Sequence, residues 1–459
     1  MKGDTFVADK KNKIITKSKY IKNHDLVWYS DADVSSKKKE QNTEIHQNIS
    51  SAVVMRAPSS KYVRVKKSDV IYQNFDVHNP ILSFCLVVGA FFIYFIAYSG
   101  AGAKYGGLIN LSTAIALPLI ALFSRKDIYY SAEIKKAFIA FAVMAVLMFI
   151  SYTKSFYYDT YIRLLLLFSV PITASYLGYN ERGLKYISYA NTAIGVAIVV
   201  DFAAGGITGG WNTNMVGSLT MYGVSWLIFT GYEKQRWRLF TEIAIFTFSF
   251  IRLETTQCRS SMIGLVFLIA FHYFVPVKML AKKAVYRVIY LFVLLFPLII
   301  SHVLLWLYES EFALNADKWI SERTDKSLFS GREEIWYSLL NEKVKDHFFG
   351  EGGSYWYNNH NVYMYMHCSV GIVGFIAYII FLAFIFEFLF KHIGDYTVKC
   401  SFVSFSAIYL TGAFEEILIR PSILCLVFYM TLAIGVGRAC MLDLNSEIQT
   451  SQEEENGDV

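Results

Sequence analysis

The chain begins polar and turns apolar only at about residue 81. From there to residue 438, apolar runs alternate with short polar gaps. A membrane-crossing helix needs about 17–25 mostly apolar residues. Twelve runs are read on that rule: 81–99, 107–123, 137–153, 162–179, 186–203, 214–232, 239–252, 260–277, 286–307, 366–390, 398–414 and 421–438. The seventh and eleventh are short. One gap breaks the rhythm, because residues 308–365 separate runs nine and ten, whereas connections are usually short. A long loop is more often a functional element than a spacer. The pattern predicts an all-α polytopic membrane protein. Its parts are an N-terminal tail (1–79), a transmembrane domain (80–438) with a long external loop (308–365), and a C-terminal tail (439–459).

Composition agrees. The chain is 55% hydrophobic and 17% charged, with mean hydropathy +0.38, where soluble domains carry roughly 25% charged residues. An ordinary soluble enzyme is excluded. Seven prolines and 28 glycines are too few for a disordered or fibrous protein. Lys10, Lys11 and Lys13 lead into polar sequence, so the start does not read as a signal peptide.

The net charge of +6 sits wholly in residues 1–79, with 13 Lys and 2 Arg against 9 acidic residues; the C-terminal tail is acidic. Lys37, Lys38 and Lys39 fit a tail beside an anionic membrane better than a nucleic-acid site. Placing that tail in the cytoplasm puts fifteen cations in the inner gaps: Arg125, Lys126, Lys135, Lys136, Arg182, Lys185, Lys234, Arg236, Arg238, Lys278, Lys282, Lys283, Arg287, Lys391 and Lys399. The short outer gaps hold five: Lys104, Lys154, Arg252, Arg259 and Arg420. The positive-inside rule then places both termini in the cytoplasm. Six scattered cysteines show no metal-ligand spacing, and nothing in that spacing requires a Cys258–Cys368 bridge.

The external loop holds the densest candidate chemistry. Ser330 and Glu333 have capping-box spacing, and Ile335, Leu339, Leu340, Val344 and Phe348 recur at helical spacing. This predicts an amphipathic helix over 331–348, stopped by Gly350 and lying on the outer membrane face. Arg332 in its first turn suits a phosphate oxygen; the plainer reading is an arginine paired with a glutamate. Beyond Gly350, Tyr355, Trp356 and Tyr357 offer faces for sugar rings, or an interfacial aromatic belt. His360 can act as a base near neutral pH. Arg252 and Arg259 sit at outer helix ends; snorkelling explains Arg252, whereas an anion suits Arg259 better. Glu415 and Glu416 either pair locally with Arg420 or orient His360 or a sugar hydroxyl.

Three elements in order resemble the bacterial O-antigen polymerase and O-antigen ligase superfamily. They are Cys-Arg-Ser-Ser around Arg259, then Ser-Gly-Arg with Trp four residues on (Arg332, Trp336). The third is Phe-Gly-x-Gly leading to His-Asn-x-Tyr (Phe349, Gly350, Gly352, His360, Asn361, Tyr363), followed by Gly371 and Gly374. They cover roughly residues 250–380. Cys258 stands where the family more often has Ser, and the long N-terminal tail has no counterpart there. The resemblance implies a C-type glycosyltransferase fold and an inverting transfer at the outer face, from a glycan on undecaprenyl diphosphate. It implies Arg259 and Arg332 on the diphosphate and His360 as base. Arg252, Tyr355, Trp356, Asn361, Tyr363, Glu415 and Glu416 are then candidate substrate contacts. No cofactor is expected. Nor is a metal: the first external gap holds no acidic pair, and Asp31 and Asp33 lie in the tail. A flippase and a chain-length regulator are the expected partners, beside membrane lipids.

Within that resemblance, polymerase is favoured over ligation to lipid A–core and over transfer to protein. The contrasting class is a twelve-span transporter or flippase. Transporters pair similar halves around midplane charges. Here no half-to-half symmetry is visible, and Arg163, Asp201 and Glu387 lie near span ends.

Overall fold

The computed structural model describes residues 14–22, 25–29, 54–56, 132–173, 213–227, 238–307, 310–324, 327, 331–353, 359–416, 418–419, 428–443 and 446. The expected spans at 81–99, 107–123 and 186–203 lie outside these residues. The chain divides into two compact units, residues 1–78 with 442–459, and residues 79–441.

In the first unit, strands β1 (Ile14–Lys22), β2 (Asp25–Tyr29) and β3 (Val54–Arg56) form an antiparallel sheet in the order β2-β1-β3. The sequence reading treats this region only as a basic tail and assigns it no strands. Charge dominated the reading of the tail, yet these segments are rich in Ile, Val, Tyr and Trp, which favour strands.

The described part of the second unit is all-helical. Its helices are α1 (Ala132–Tyr152), α2 (Tyr158–Thr173), α3 (Thr213–Leu227), α4 (Arg238–Thr255), α5 (Arg259–Ile269), α6 (Lys283–Leu307), α7 (Glu311–Thr324), α8 (Arg332–Ser338), α9 (Val362–Phe390), α10 (Tyr396–Thr411) and α11 (428–443). Three stretches are long and apolar enough to cross a membrane: Ile134–Tyr152, Lys283–Leu307 and Val362–Phe390. On α1, Ile139, Val143, Val146 and Ile150 make an exposed apolar stripe, the face that lipid would cover.

Helix α10 is the centre. Every residue from Thr397 to Thr411 is buried, as a helix enclosed by neighbours on all sides must be. Small residues let the neighbours approach closely. A Cβ on Gly264 would meet Thr411 Oγ1 at 2.3 Å, and one on Gly435 would meet Ser401 Oγ at 2.2 Å.

Polar contacts tie each end of this bundle. At one end Lys399 donates from its ammonium to the carbonyls of His272 (3.0 Å) and Val275 (2.9 Å), where a π turn (Ala270–Phe274) closes α5. Nearby, Arg287 on α6 grips Glu387 on α9 through two nitrogens, at 2.7 and 2.9 Å. Thus Lys399, counted above as a loop cation, is buried in the bundle, whereas Arg287 is exposed and held by its pair with Glu387.

At the opposite end, α9 is broken. Gly371 has φ +68°, ψ −177° inside the helix, and residues 346–352 dock against the break. Glu351 N–H donates to Cys368 O (2.8 Å) and Gly352 N–H to Ser369 O (2.9 Å); Ile372 N–H donates to His347 O (3.0 Å) and Val373 N–H to Phe348 O (3.3 Å). The docked loop supplies the partners that the broken helix lacks, as buried backbone requires. From the other side, Lys154 pairs with Asp346 and donates to Gly350 O (3.0 Å), and Ser155 Oγ donates to Gly352 O. That ion pair and the backbone N–H groups of Phe348 and Phe349 hold the Asp346 carboxyl below its usual range.

Candidate functional site

Helix α8 begins at Arg332 behind Gly331, whose left-handed φ of +74° turns the chain into it. Gly331 is thus the N-cap; Ser330 lies outside the described residues. The predicted helix over 331–348 is corrected: α8 ends at Ser338, and a π turn covers Leu339–Lys343. Side chains then capture the backbone. Glu351 accepts from the N–H groups of Lys345 and Asp346, and Asp346 accepts from those of Phe348 and Phe349. Acidic side chains that offer backbone such partners compete with helix. One face of α8 is exposed at Glu334 and Tyr337, and the other packs into protein. Trp336 is wholly buried and its indole N–H donates to Asn359 O at 2.7 Å. Glu333 is also buried, and burial pushes its carboxyl up from the usual range.

The Trp336 bond fixes the residue before His360. His360 has φ +49°, a left-handed conformation uncommon outside glycine. On its far side, Asn361 caps α9 by accepting from Met364 N–H at 3.1 Å. Its amide donates to Pro297 O on α6 (3.0 Å) and to Ala413 O just past α10 (2.8 Å). Three helices are thus pinned by one buried amide. Both hydrogens of Asn361 are committed to the scaffold, so it positions its neighbour rather than offering them to a ligand.

Glu415 lies between the two residues singled out in the loop. Arg332 Nη2 donates to Glu415 Oε1 at 2.8 Å, and His360 Nδ1 stands 3.3 Å from Glu415 Oε2. The Glu415 side chain is 8% exposed, Arg332 18% and His360 26%, so the most enclosed member is the carboxylate that joins the others. A carboxylate on Nδ1 fixes the ring so that Nδ1 carries the proton and Nε2 presents a lone pair. Arg332 Nε and Glu333 Oε2 are buried without a hydrogen-bond partner among the described residues.

The remaining candidates are placed separately. Arg259 opens α5, and its Nη1 donates to Ser327 O at 3.1 Å, on the segment leading to α8. Arg252 is buried in the last turn of α4, not extended toward headgroups. Glu416 is buried beside Glu415. Tyr363 is buried, its hydroxyl 3.4 Å from His302 Nε2. Cys258 and Cys368 are free thiols. Tyr355, Trp356 and Arg420 lie outside the described residues. Among the described residues, no three His, Cys, Asp or Glu side chains are grouped to hold a metal ion.

The sequence reading passed over Trp336 as a structural anchor and Asn359 as its acceptor. The Trp336 spacing from Arg332 was visible, but a bond to a backbone carbonyl leaves no residue-type signal.

The fold and site define a helical membrane protein with an Arg–Glu–His cluster at one end of the bundle. No family model, no curated protein and no solved structure matches the chain.

Proposed function

We propose that this chain is a glycosyltransferase that polymerises surface polysaccharide, O-antigen or capsule-like. It would join repeat units carried on undecaprenyl diphosphate at the outer face of the bacterial inner (plasma) membrane, with twelve spans and both termini cytoplasmic. The observation that carries the proposal is Glu415 set between Arg332 and His360. In this reading Glu415 holds the His360 ring, and Nε2 takes the proton from an acceptor hydroxyl. The acceptor oxygen attacks the anomeric carbon as the bond to the diphosphate breaks on the opposite face, inverting its configuration. The departing diphosphate carries the developing negative charge, which Arg332 and Arg259 offset. A positioned base contributes about 10²–10⁴-fold.

The test is a deletion strain complemented with wild type or His360→Ala, followed by polymer length on gels and mass analysis of lipid-linked glycans. Loss of polymer, with single repeats left on the lipid, is expected. Normal polymer from His360→Ala removes the assignment of the base. Long polymers stranded on the lipid would make the protein a ligase, and wild-type activity that strictly requires a metal would count against the arginines.

A further inference from the structure

The long segment contains a helix that the sequence reading did not single out. Helix α7 starts where α6 stops. Ser310 N–H donates to Leu307 O (2.8 Å), and Ser310 Oγ donates to the same carbonyl while accepting from Ala313 N–H. One serine therefore closes α6 and caps α7, holding the start of α7 within a turn of the end of a bilayer-length helix. Phe312, Ala316, Trp319 and Arg323 fall at helical offsets of 0, 4, 7 and 11, a single stripe. Phe312 is 74% exposed and Trp319 58%. The Arg323 guanidinium lies 4.2 Å from the Trp319 ring centre and donates to Trp319 O at 2.9 Å. On the last turn of α6, Trp306 is 80% exposed, another exposed aromatic close in sequence to the start of α7.

Ala313 is buried, so one face of α7 meets protein, but among the described residues no other helix packs along its length. A helix of 14 residues is marginal in water without a surface to cover its apolar side. The end of a spanning helix supplies one in the bilayer interface, where Trp and Phe are favoured and Arg meets phosphate.

We propose that α7 lies in the interface of the bilayer leaflet at the Leu307 end of α6. Phe312 and Trp319 sit at the acyl–headgroup boundary, and Arg323 turns its other N–H groups to a lipid phosphate. The placement does not depend on the transferase reading or on which side of the membrane that end faces.

The experiment uses the full chain in nanodiscs of phosphatidylethanolamine and phosphatidylglycerol. Trp319 fluorescence is taken as the difference between wild type and Trp319→Phe. Loss of that signal with lipids brominated high on the acyl chain, and resistance to aqueous iodide, are expected. Iodide quenching with no effect of bromolipid overturns the proposal. So does protection from iodide by a soluble oligosaccharide, which would make the stripe a sugar platform. Should Trp319→Phe fail to fold, Phe312→Trp in the otherwise native chain must add a signal quenched by bromolipid and not by iodide; the reverse pattern overturns it equally.

Discussion

Replacing Glu415 by Gln separates the electrostatic role of this residue from its shape. The amide keeps an oxygen for Arg332, whose bond to Glu415 is 2.8 Å long. It then presents an NH₂ group to His360 Nδ1, which must accept rather than donate. The imidazole proton moves to Nε2, the atom that would otherwise take a proton from the acceptor. Forcing the wrong tautomer costs about 10⁴-fold in a serine-protease triad, and losing a general base costs about 10²–10⁴-fold. Glu415→Gln should therefore lower transfer by about 10²–10⁴-fold. The stability cost is smaller, because the pair is replaced by a neutral hydrogen bond to a charged group, worth about 1.5–3 kcal/mol. Glu415→Ala differs, since it strands a largely enclosed guanidinium and should destabilise by up to about 3–5 kcal/mol. The assay is a double-mutant cycle with His360→Ala, reading polymer formation and unfolding midpoint in detergent. If the two residues act as one unit, the double variant is no slower than His360→Ala alone. Rate losses that multiply, or a Glu415→Gln protein with normal activity, would refute the argument.

Three further outcomes follow from the scaffold. Gly371→Ala places a methyl group 2.1 Å from Phe348 O at a positive φ; about 1–2 kcal/mol of backbone strain adds to about 1 kcal/mol for each docking bond lost. Rapid proteolysis between residues 345 and 353 is expected, and wild-type resistance sinks the account. Lys399→Met keeps the stem but leaves the carbonyls of His272 and Val275 without the ammonium, for about 1–3 kcal/mol; an unchanged melting midpoint would show that the bonds contribute nothing. The depressed Asp346 carboxyl makes docking pH-dependent with a definite sign. Its contribution is complete above the unfolded carboxyl value of about 4 and is lost as pH falls through the lower folded value. Protection of the loop should decline at acid pH in wild type, whereas Asp346→Asn should remove that component; identical profiles would reject the assignment.

What could be read from the sequence, and what could not, divides along physical lines. Apolar run length is a local property, and nine of the expected spans overlap described helices, though among the described residues three stretches are long and apolar enough to cross a bilayer by themselves. The cluster was half legible. Arg332, His360 and Glu415 stood out as polar residues beside apolar runs, but their grouping depends on contacts across 55 and 83 residues of chain. The loop helix was overextended because apolar spacing says nothing of Asp346 and Glu351 drawing backbone N–H groups away from it. The break in α9 was equally invisible, since Gly371 inside an apolar run reads as a packing glycine until residues 346–352 are seen against it. Lys399 misled for the opposite reason: a cation near a span end counts as a loop charge unless its carbonyl partners are known.

Backbone strain gives an independent reason to look for chemistry at the Glu415 end. Among the described residues, positive φ occurs at Phe156, Gln257, Gly331, Gly350, Gly352, Gly353, His360 and Gly371. Phe156 follows α1 beside the docked loop, and Gln257 precedes Arg259. The other six lie between residues 331 and 371; five are glycines, which adopt this conformation without strain, and the sixth is His360. The opposite end has comparable polar contacts, with Lys399, Arg287 and Glu387 all bonded, yet no described residue there departs into the left-handed region. Ion pairs alone therefore do not require this backbone. Left-handed residues without glycine cost of order 1–2 kcal/mol and persist where surrounding structure holds them. At His360 that support is identifiable: the Trp336 bond before it, the Asn361 cap after it and Glu415 on its ring. A purely structural loop could place glycine at position 360 and relieve the strain. The chain instead carries an imidazole there, held from three sides, with Nε2 as the atom its supports leave for a ligand.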